Sequence, residues 1–162
     1  MERTRIIATP VGPMGIAATQ HAVTRIFFAD GEPPTGPAPE HEDDAPAVQL
    51  LRRAERELGE YFAGRRRDFT LPLAPAGTPF QQAVWAELRR IPYGCTRSYG
   101  QIARAIGRPA ACRAVGMANH RNPIAIVIPC HRVVGAGGAL TGYAGGLEAK
   151  SRLLEIEKGA AE

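Results

Sequence analysis

Ile128-Pro129-Cys130-His131-Arg132-Val133 is the stretch from which the rest of the chain can be read. The apolar run Ile124 to Ile128 leads into it. That run is short and mostly β-branched, which predicts a buried strand. Pro129 cannot donate to a ladder and ends it. A thiol and an imidazole then stand where a rigid element gives way to a turn, a place that positions reactive groups well. A free thiol has a pKa of about 8.5, so activation near neutral pH needs a neighbouring cation or base. Adjacent side chains on a straight strand point to opposite faces. Cys130 and His131 therefore work together only if the turn redirects them or a water bridges them. The competing reading is an inert buried cysteine.

Composition narrows the class. The chain has 162 residues, 44% hydrophobic and 22% charged, enough for one compact domain or two small ones. No apolar stretch is long enough for a membrane span, and the short apolar run before Pro10 predicts no secretory signal. Three cysteines, at 95, 112 and 130, are widely spaced. They make neither a disulfide framework nor a Cys-x-x-Cys zinc site, so no metal is expected, and a reduced cytoplasm fits them. Charge is uneven. Residues 1–77 carry nine basic and eleven acidic side chains, net −2, and residues 78–162 carry eleven and five, net +6. The basic half holds Cys130. That is either an arginine-rich solvated surface or a footprint for a polyanion such as nucleic acid.

The expected fold class is α/β, more closely α+β. A small N-terminal antiparallel sheet with a helix precedes a C-terminal helical domain. Arg3 to Thr9, Met14 to Thr19 and Val23 to Phe28 read as three strands of a meander. Residues 30–46 hold five prolines, two glycines and six acidic side chains and read as a mobile loop. Ala47 to Ala63 reads as a helix with Val48, Leu51, Leu58, Tyr61 and Phe62 on its apolar stripe. Asp68 to Leu73 reads as a further strand. A domain boundary is placed at 77/78, with 1–77 a support domain and 78–162 the functional one.

The second half carries sharper signals. Thr78-Pro79-Phe80-Gln81 offers an N-cap, a proline at the first helical position and a capping box; Phe80, Val84 and Leu88 form the stripe with Trp85 beside them. Ser98-Tyr99-Gly100-Gln101 is a second capping box. Its helix is stopped by Gly107-Arg108-Pro109, and Ala110 to Asn119 forms another, a helix-turn-helix candidate with a winged-helix-like character. Ala110, Ala111, Ala114, Gly116 and Ala118 leave that helix little bulk, with Arg113 projecting. It can pack tightly on a neighbour or approach DNA closely. Leu147 to Lys158 closes the chain as a helix. Glu157 falls near its apolar stripe and shares a face with Lys150. A carboxylate so placed needs a partner, either a loop cation or His131. Cys95 shows no partner and reads as structural.

These blocks together resemble the O6-alkylguanine-DNA alkyltransferases, the methylated-DNA–protein-cysteine methyltransferase family. The likeness runs from about Thr78 to Lys158. It takes in Phe80-Gln81 with Trp85, Ile91-Pro92-Tyr93-Gly94, Ser98 to Ala103, Arg113-Ala114-Val115-Gly116, Asn122-Pro123, Ile128 to Val134 and Thr141 to Gly146. In the N-terminal half only Thr9-Pro10-Val11-Gly12 is recognisable. The resemblance implies a monomeric DNA-repair enzyme that needs no cofactor. Cys130 would take the alkyl group from O6-alkylguanine in double-stranded DNA, irreversibly and once per molecule, after base flipping. His131 would act through a water, oriented by Glu157. Tyr99 would protonate the departing guanine, with Lys150 supporting it, and Asn122 would tie the helix-turn-helix to the active-site strand. Arg113, Ala114, Gly116 and Ser98 would contact DNA, through the minor groove. Val133, Tyr143, Ala144 and Trp85 would line the pocket, with backbone groups of Cys130 and Val133 reading the guanine edge. Small Ala125 and Ala144 suggest room for adducts larger than methyl.

Three competitors remain on sequence. A non-catalytic alkylated-lesion recognition protein would lack the acceptor cysteine, which is present. A helix-turn-helix regulator accounts for Arg113 but not for Tyr99, His131 and Glu157. A cysteine hydrolase needs an oxyanion hole and repeated turnover, and nothing points to either.

Overall fold

The computed structural model describes residues 2–29 and 45–161. The expected mobile loop 30–46 lies almost wholly outside them. The chain forms two compact units, Met1–Pro75 and Ala76–Glu162.

In the first unit, β1 (Arg3–Ile7), β2 (Met14–Ala18) and β3 (Val23–Phe28) make an antiparallel sheet in that order. The central β2 is buried at every position. Gly15 is required there because the Phe27 ring fills the place a Cβ would take. Helix α1 (Pro46–Phe62) buries Ala47, Val48, Leu51, Ala54, Leu58 and Tyr61, spaced three and four apart, and packs on the sheet. Each large apolar side chain so buried contributes about 1.5–3 kcal/mol.

The segment Asp68 to Leu73 is not the strand its sequence predicts. It makes one bridge, Leu73 to Val23, and is otherwise irregular. The reason is Glu57, a fully buried carboxylate on the apolar face of α1. It takes the Thr70 backbone N–H and hydroxyl, both at 2.8 Å, together with Arg53 at 3.2 Å. Burial alone would raise its pKa. The Thr70 bonds and the charge of Arg66 hold it below the usual range. The segment is thus folded around a carboxylate rather than into a ladder, and Pro72 has no N–H for one.

In the second unit, both capping boxes form as read. Thr78 and Gln81 cap α2 (Pro79–Leu88), and Ser98 and Gln101 cap α3 (Tyr99–Ala105). Val84, Trp85 and Leu88 are the buried stripe of α2. Phe80 is only half-buried, with the Arg108 guanidinium 6.0 Å above its ring. After a turn at Gly107 (φ 76°), α4 runs from Cys112 to His120 and packs on α2 and α3. The Trp85 indole N–H donates to the Ala118 carbonyl at 2.8 Å, which registers α4 against α2. Two short strands, β4 (Arg97–Ser98) and β5 (Val133–Val134), pair in parallel. Helix α5 (Leu147–Ala161) closes the unit. Among the described residues no helix is long and apolar enough to cross a membrane.

The expected strand Ile124 to Ile128 is also absent. All five residues are buried, but the backbone coils. Ile126 has φ 72°, Val127 N–H donates to the Ala125 carbonyl at 2.8 Å, and Ile128 N–H to that of Ile124 at 3.0 Å. A second tight turn, centred on Pro129 (φ −81°, ψ 65°), takes Cys130 N–H back to the Ile128 carbonyl at 2.8 Å, the inverse γ form. Periodicity cannot separate a buried strand from a buried coil when every position is apolar.

Candidate active site

Cys130, His131 and Arg132 form one turn of 3-10 helix between that coil and β5. A 3-10 turn spreads successive side chains around its axis, so Cys130 and His131 are not sent to opposite faces as they would be on a strand. All three are buried.

Glu157, from α5, is the charge centre. Its Oε2 lies 2.6 Å from His131 Nε2, and its two oxygens accept from Arg132 Nε at 2.8 Å and Nη2 at 3.1 Å. A fourth bond comes from the Gly94 backbone N–H at 3.2 Å. Burial by itself would raise the Glu157 pKa, but the bonds and charges of His131 and Arg132 bring it down to about 2. The group is a carboxylate across the physiological range. Arg132 is held in turn by the Ile91 carbonyl at 2.8 Å and lies 5.6 Å from the centre of the Tyr93 ring.

An ionised Glu157 fixes the tautomer of His131. Nε2 must carry the proton it donates, leaving Nδ1 as a bare acceptor. Nδ1 is buried and has no hydrogen-bond partner among the described residues. Burial lowers the His131 pKa despite the opposing bond and charge of Glu157, with Arg132 and Lys150 adding to the depression. A neutral imidazole with an unpaired Nδ1, next in sequence to a thiol, has the chemistry of a general base. Burial pushes the Cys130 thiol up from its ordinary value, so the resting group is neutral. Hydrogen bonds from Asn122 and Tyr143 and the charge of Lys150 act the other way. The site thus holds a protonated thiol in surroundings already arranged to accept a thiolate.

Asn122 braces the coil. Its Nδ2 donates to the Ile128 carbonyl at 2.7 Å and its Oδ1 accepts from Ile124 N–H at 3.0 Å. Asn122 lies beyond the end of α4, so the tie from within that helix comes from another residue. Asn119 Nδ2 donates to the Cys130 carbonyl at 3.3 Å. That carbonyl also accepts the Val133 N–H, so it is engaged twice. Asn119 Oδ1 is buried and unpaired among the described residues, which costs about 1–3 kcal/mol.

Tyr99 and Lys150 converge on Thr141. The Tyr99 hydroxyl is 2.8 Å from Thr141 Oγ1, and buried Lys150 donates to the Thr141 carbonyl at 2.9 Å. Burial lowers the Lys150 pKa, against the attraction of Cys130. Val133 and Tyr143 are buried, whereas Ala144 is exposed. Trp85 is buried with its N–H spent on Ala118, so its observed contact is helix packing. Arg113 and Ala114 are exposed on α4, and Gly116 is half-buried. Arg113, Gly116, Met117, His120 and Arg121 line a mainly apolar concavity of about 450 Å³ on that face. The Ser98 hydroxyl is occupied as the cap of α3. Cys95 is exposed rather than structural, as is Cys112.

Arg132, Asn119 and Thr141 escaped the sequence reading. Arg132 sat inside the quoted motif and Thr141 inside the glycine-rich block, so both were within reach. Asn119 had only its spacing, four after Val115, to mark it as inward-facing. Among the described residues no three His, Cys, Asp or Glu side chains gather as a metal site.

Comparison with known proteins bears on both units. Residues 79–159 match the model of the 6-O-methylguanine DNA methyltransferase DNA-binding domain, and residues 3–75 that of the ribonuclease-like domain of the same proteins. The chain is 47% identical to a methylated-DNA–protein-cysteine methyltransferase of Methanosarcina acetivorans, over 94% of this chain and 96% of that one. It is 48% identical to the constitutive enzyme of that name from Bacillus subtilis, covering 93% and 92%. Among solved structures it is similar to Mycobacterium tuberculosis OGT in complex with DNA, with a TM-score of 0.83 and 45% identity, over 97% of this chain and 93% of that one.

Proposed function

The chain belongs to the 6-O-methylguanine DNA methyltransferase family, and we propose that it repairs DNA by moving the alkyl group of O6-alkylguanine onto Cys130. The observation that carries this reading is the buried His131–Glu157 pair, locked by Arg132, on the turn that also carries Cys130.

A damaged guanine leaves the duplex and enters beside Cys130, at a cost of a few kcal/mol in lost stacking. The outer face of α4 holds the DNA, with Arg113 filling the gap and Ala114, Gly116 and Ser98 close to the backbone. The Cys130 proton passes through a water to His131 Nδ1, and the new imidazolium is stabilised by Glu157. Sγ attacks the alkyl carbon, forming a C–S bond as the C–O6 bond breaks. The electron pair stays with the guanine, which takes a proton from the Tyr99 phenol. Lys150 supports that end of the site through Thr141. Val133, Tyr143 and Ala144 line the pocket. The thioether has no second nucleophile to cleave it, so each molecule reacts once. The unit 1–77 supports the unit 78–162, the protein acts as a monomer, and its place is the cytoplasm.

The test is intact-protein mass after mixing with a duplex carrying one O6-methylguanine. One methyl group on Cys130, with none on Cys95 or Cys112, is the expected result. Cys130→Ser should bind the lesion and gain no mass. Tight binding without transfer by the unaltered protein would instead support the lesion-recognition reading.

A further inference from the structure

Helix α4 has two faces with different work. Arg113, Ala114, Met117 and His120 lie exposed on one; Val115, Ala118 and Asn119 are buried on the other. Asn119 is the polar member of the inner face, and its amide reaches the carbonyl of Cys130 itself. We propose that Asn119 is a positioning residue that transmits the docking of DNA on the outer face of α4 to the Cys130 turn, an inference that rests on the function proposed above.

The hydrogen-bond pattern argues against a purely structural role. The Cys130 carbonyl already has the Val133 N–H, so it does not need Asn119 to be satisfied. The amide makes one long bond of 3.3 Å and leaves Oδ1 buried and unpaired. An apolar side chain of similar volume would remove that unpaired acceptor and keep the packing. What it would not keep is direction. The last turn of α4 and the residues just beyond it hold the reactive coil at three backbone points. Asn119 holds the Cys130 carbonyl, and Asn122 holds the Ile128 carbonyl and the Ile124 N–H. Only Asn119 lies within the helix. One residue earlier, α4 is pinned to α2 by Trp85 at the Ala118 carbonyl. A load on the outer face therefore reaches the Cys130 backbone through a packed helix and one amide.

The test separates docking from chemistry. Asn119→Leu and Asn119→Met each remove the amide at similar volume. Second-order alkyl transfer is measured on one preparation with two probes, O6-methylguanine in a duplex and O6-benzylguanine as the free base. The free base makes no contact with the outer face of α4. In both variants the duplex rate should fall about tenfold or more, because DNA docked on the outer face of α4 no longer brings the Cys130 turn into line with the flipped base. The free-base rate should stay within about twofold, because the Cys130–His131–Glu157 chemistry does not depend on the amide. The ratio of the two rates cancels any loss of folded fraction. An unchanged ratio overturns the proposal, whether both rates fall together or neither moves. If the unaltered protein itself transfers nothing from either probe, the underlying function fails rather than the role of Asn119.

Discussion

His131 Nε2 and Glu157 Oε2 lie 2.6 Å apart with both side chains out of solvent, on residues 26 positions apart in the chain. The pair does two jobs. It fixes which imidazole nitrogen carries the proton, and it anchors α5 to the turn that holds Cys130.

Glu157→Gln separates the charge from the shape. The amide fits the same space but can donate as well as accept, so it no longer dictates the His131 tautomer. Arg132, bonded to both Glu157 oxygens, is left as a buried cation without its counter-charge. Alkyl transfer should slow by on the order of 10²-fold or more, as when a base loses the group that orients it. Unfolding free energy should drop by about 3–5 kcal/mol, the cost of breaking a buried pair from one side. Single-turnover kinetics and urea unfolding read the two effects. A variant as fast as the parent would remove Glu157 from the proton path.

Acidification should weaken the protein in two stages. Glu157 titrates near 4.5 when unfolded and at about 2 when folded. Its stabilisation is complete above 4.5 and is lost as the pH falls towards 2. His131 is depressed below 6.5 in the fold. The unfolded chain therefore takes up a proton there before the folded one does, and stability also declines as the pH falls below 6.5. The same depression keeps His131 an unprotonated base at pH 7, so the transfer rate should stay level near neutrality and fall only on the acid side. Melting curves at a series of pH values give the first profile and single-turnover rates the second. Glu157→Gln should lose the lower stage of the stability profile and keep the upper. A rate that rises as the pH drops below 6.5 would count against His131 as base.

Asn122→Ala should cost both stability and speed. The side chain caps a coil in which Ile126, a β-branched residue, sits at φ 72°, a conformation worth about 1–3 kcal/mol of strain. Removing Asn122 frees the Ile128 carbonyl and the Ile124 N–H, at about 0.5–1.5 kcal/mol each. It also deletes one of the bonds favouring the thiolate. Asn122→Asp keeps an acceptor for Ile124 and loses the donor to Ile128, so it should fall between the parent and Ala in unfolding free energy. Alanine and aspartate variants of equal stability would show that the bond from the Ile124 N–H contributes nothing.

Features decided by short-range chemistry were legible. The boxes at Thr78–Gln81 and Ser98–Gln101 are closed within four residues, and both formed. The meander followed from alternating short runs and turns, and the family from ordered motif blocks. Misreadings fell where a distant group overrode local preference. Asp68 to Leu73 has strand-forming residues, yet it wraps the buried Glu57 carboxylate. Ile124 to Ile128 carries no period that could report a coil, because every side chain in it is buried.

The sequence by itself determined the helices that cap themselves, the order of the three strands, and the reactive types at Cys130, His131, Glu157 and Tyr99. Each rests on contacts a few residues long or on the chemistry of a single side chain. Tertiary structure alone decided that Arg132 and the Gly94 backbone share Glu157 with His131, that Thr141 joins Tyr99 to Lys150, and that Asn119 reaches the Cys130 carbonyl. Those bonds span 9 to 63 positions. Their partners are chosen by which polar groups are left facing one another once the apolar faces have packed, and a buried polar group must take what it finds there.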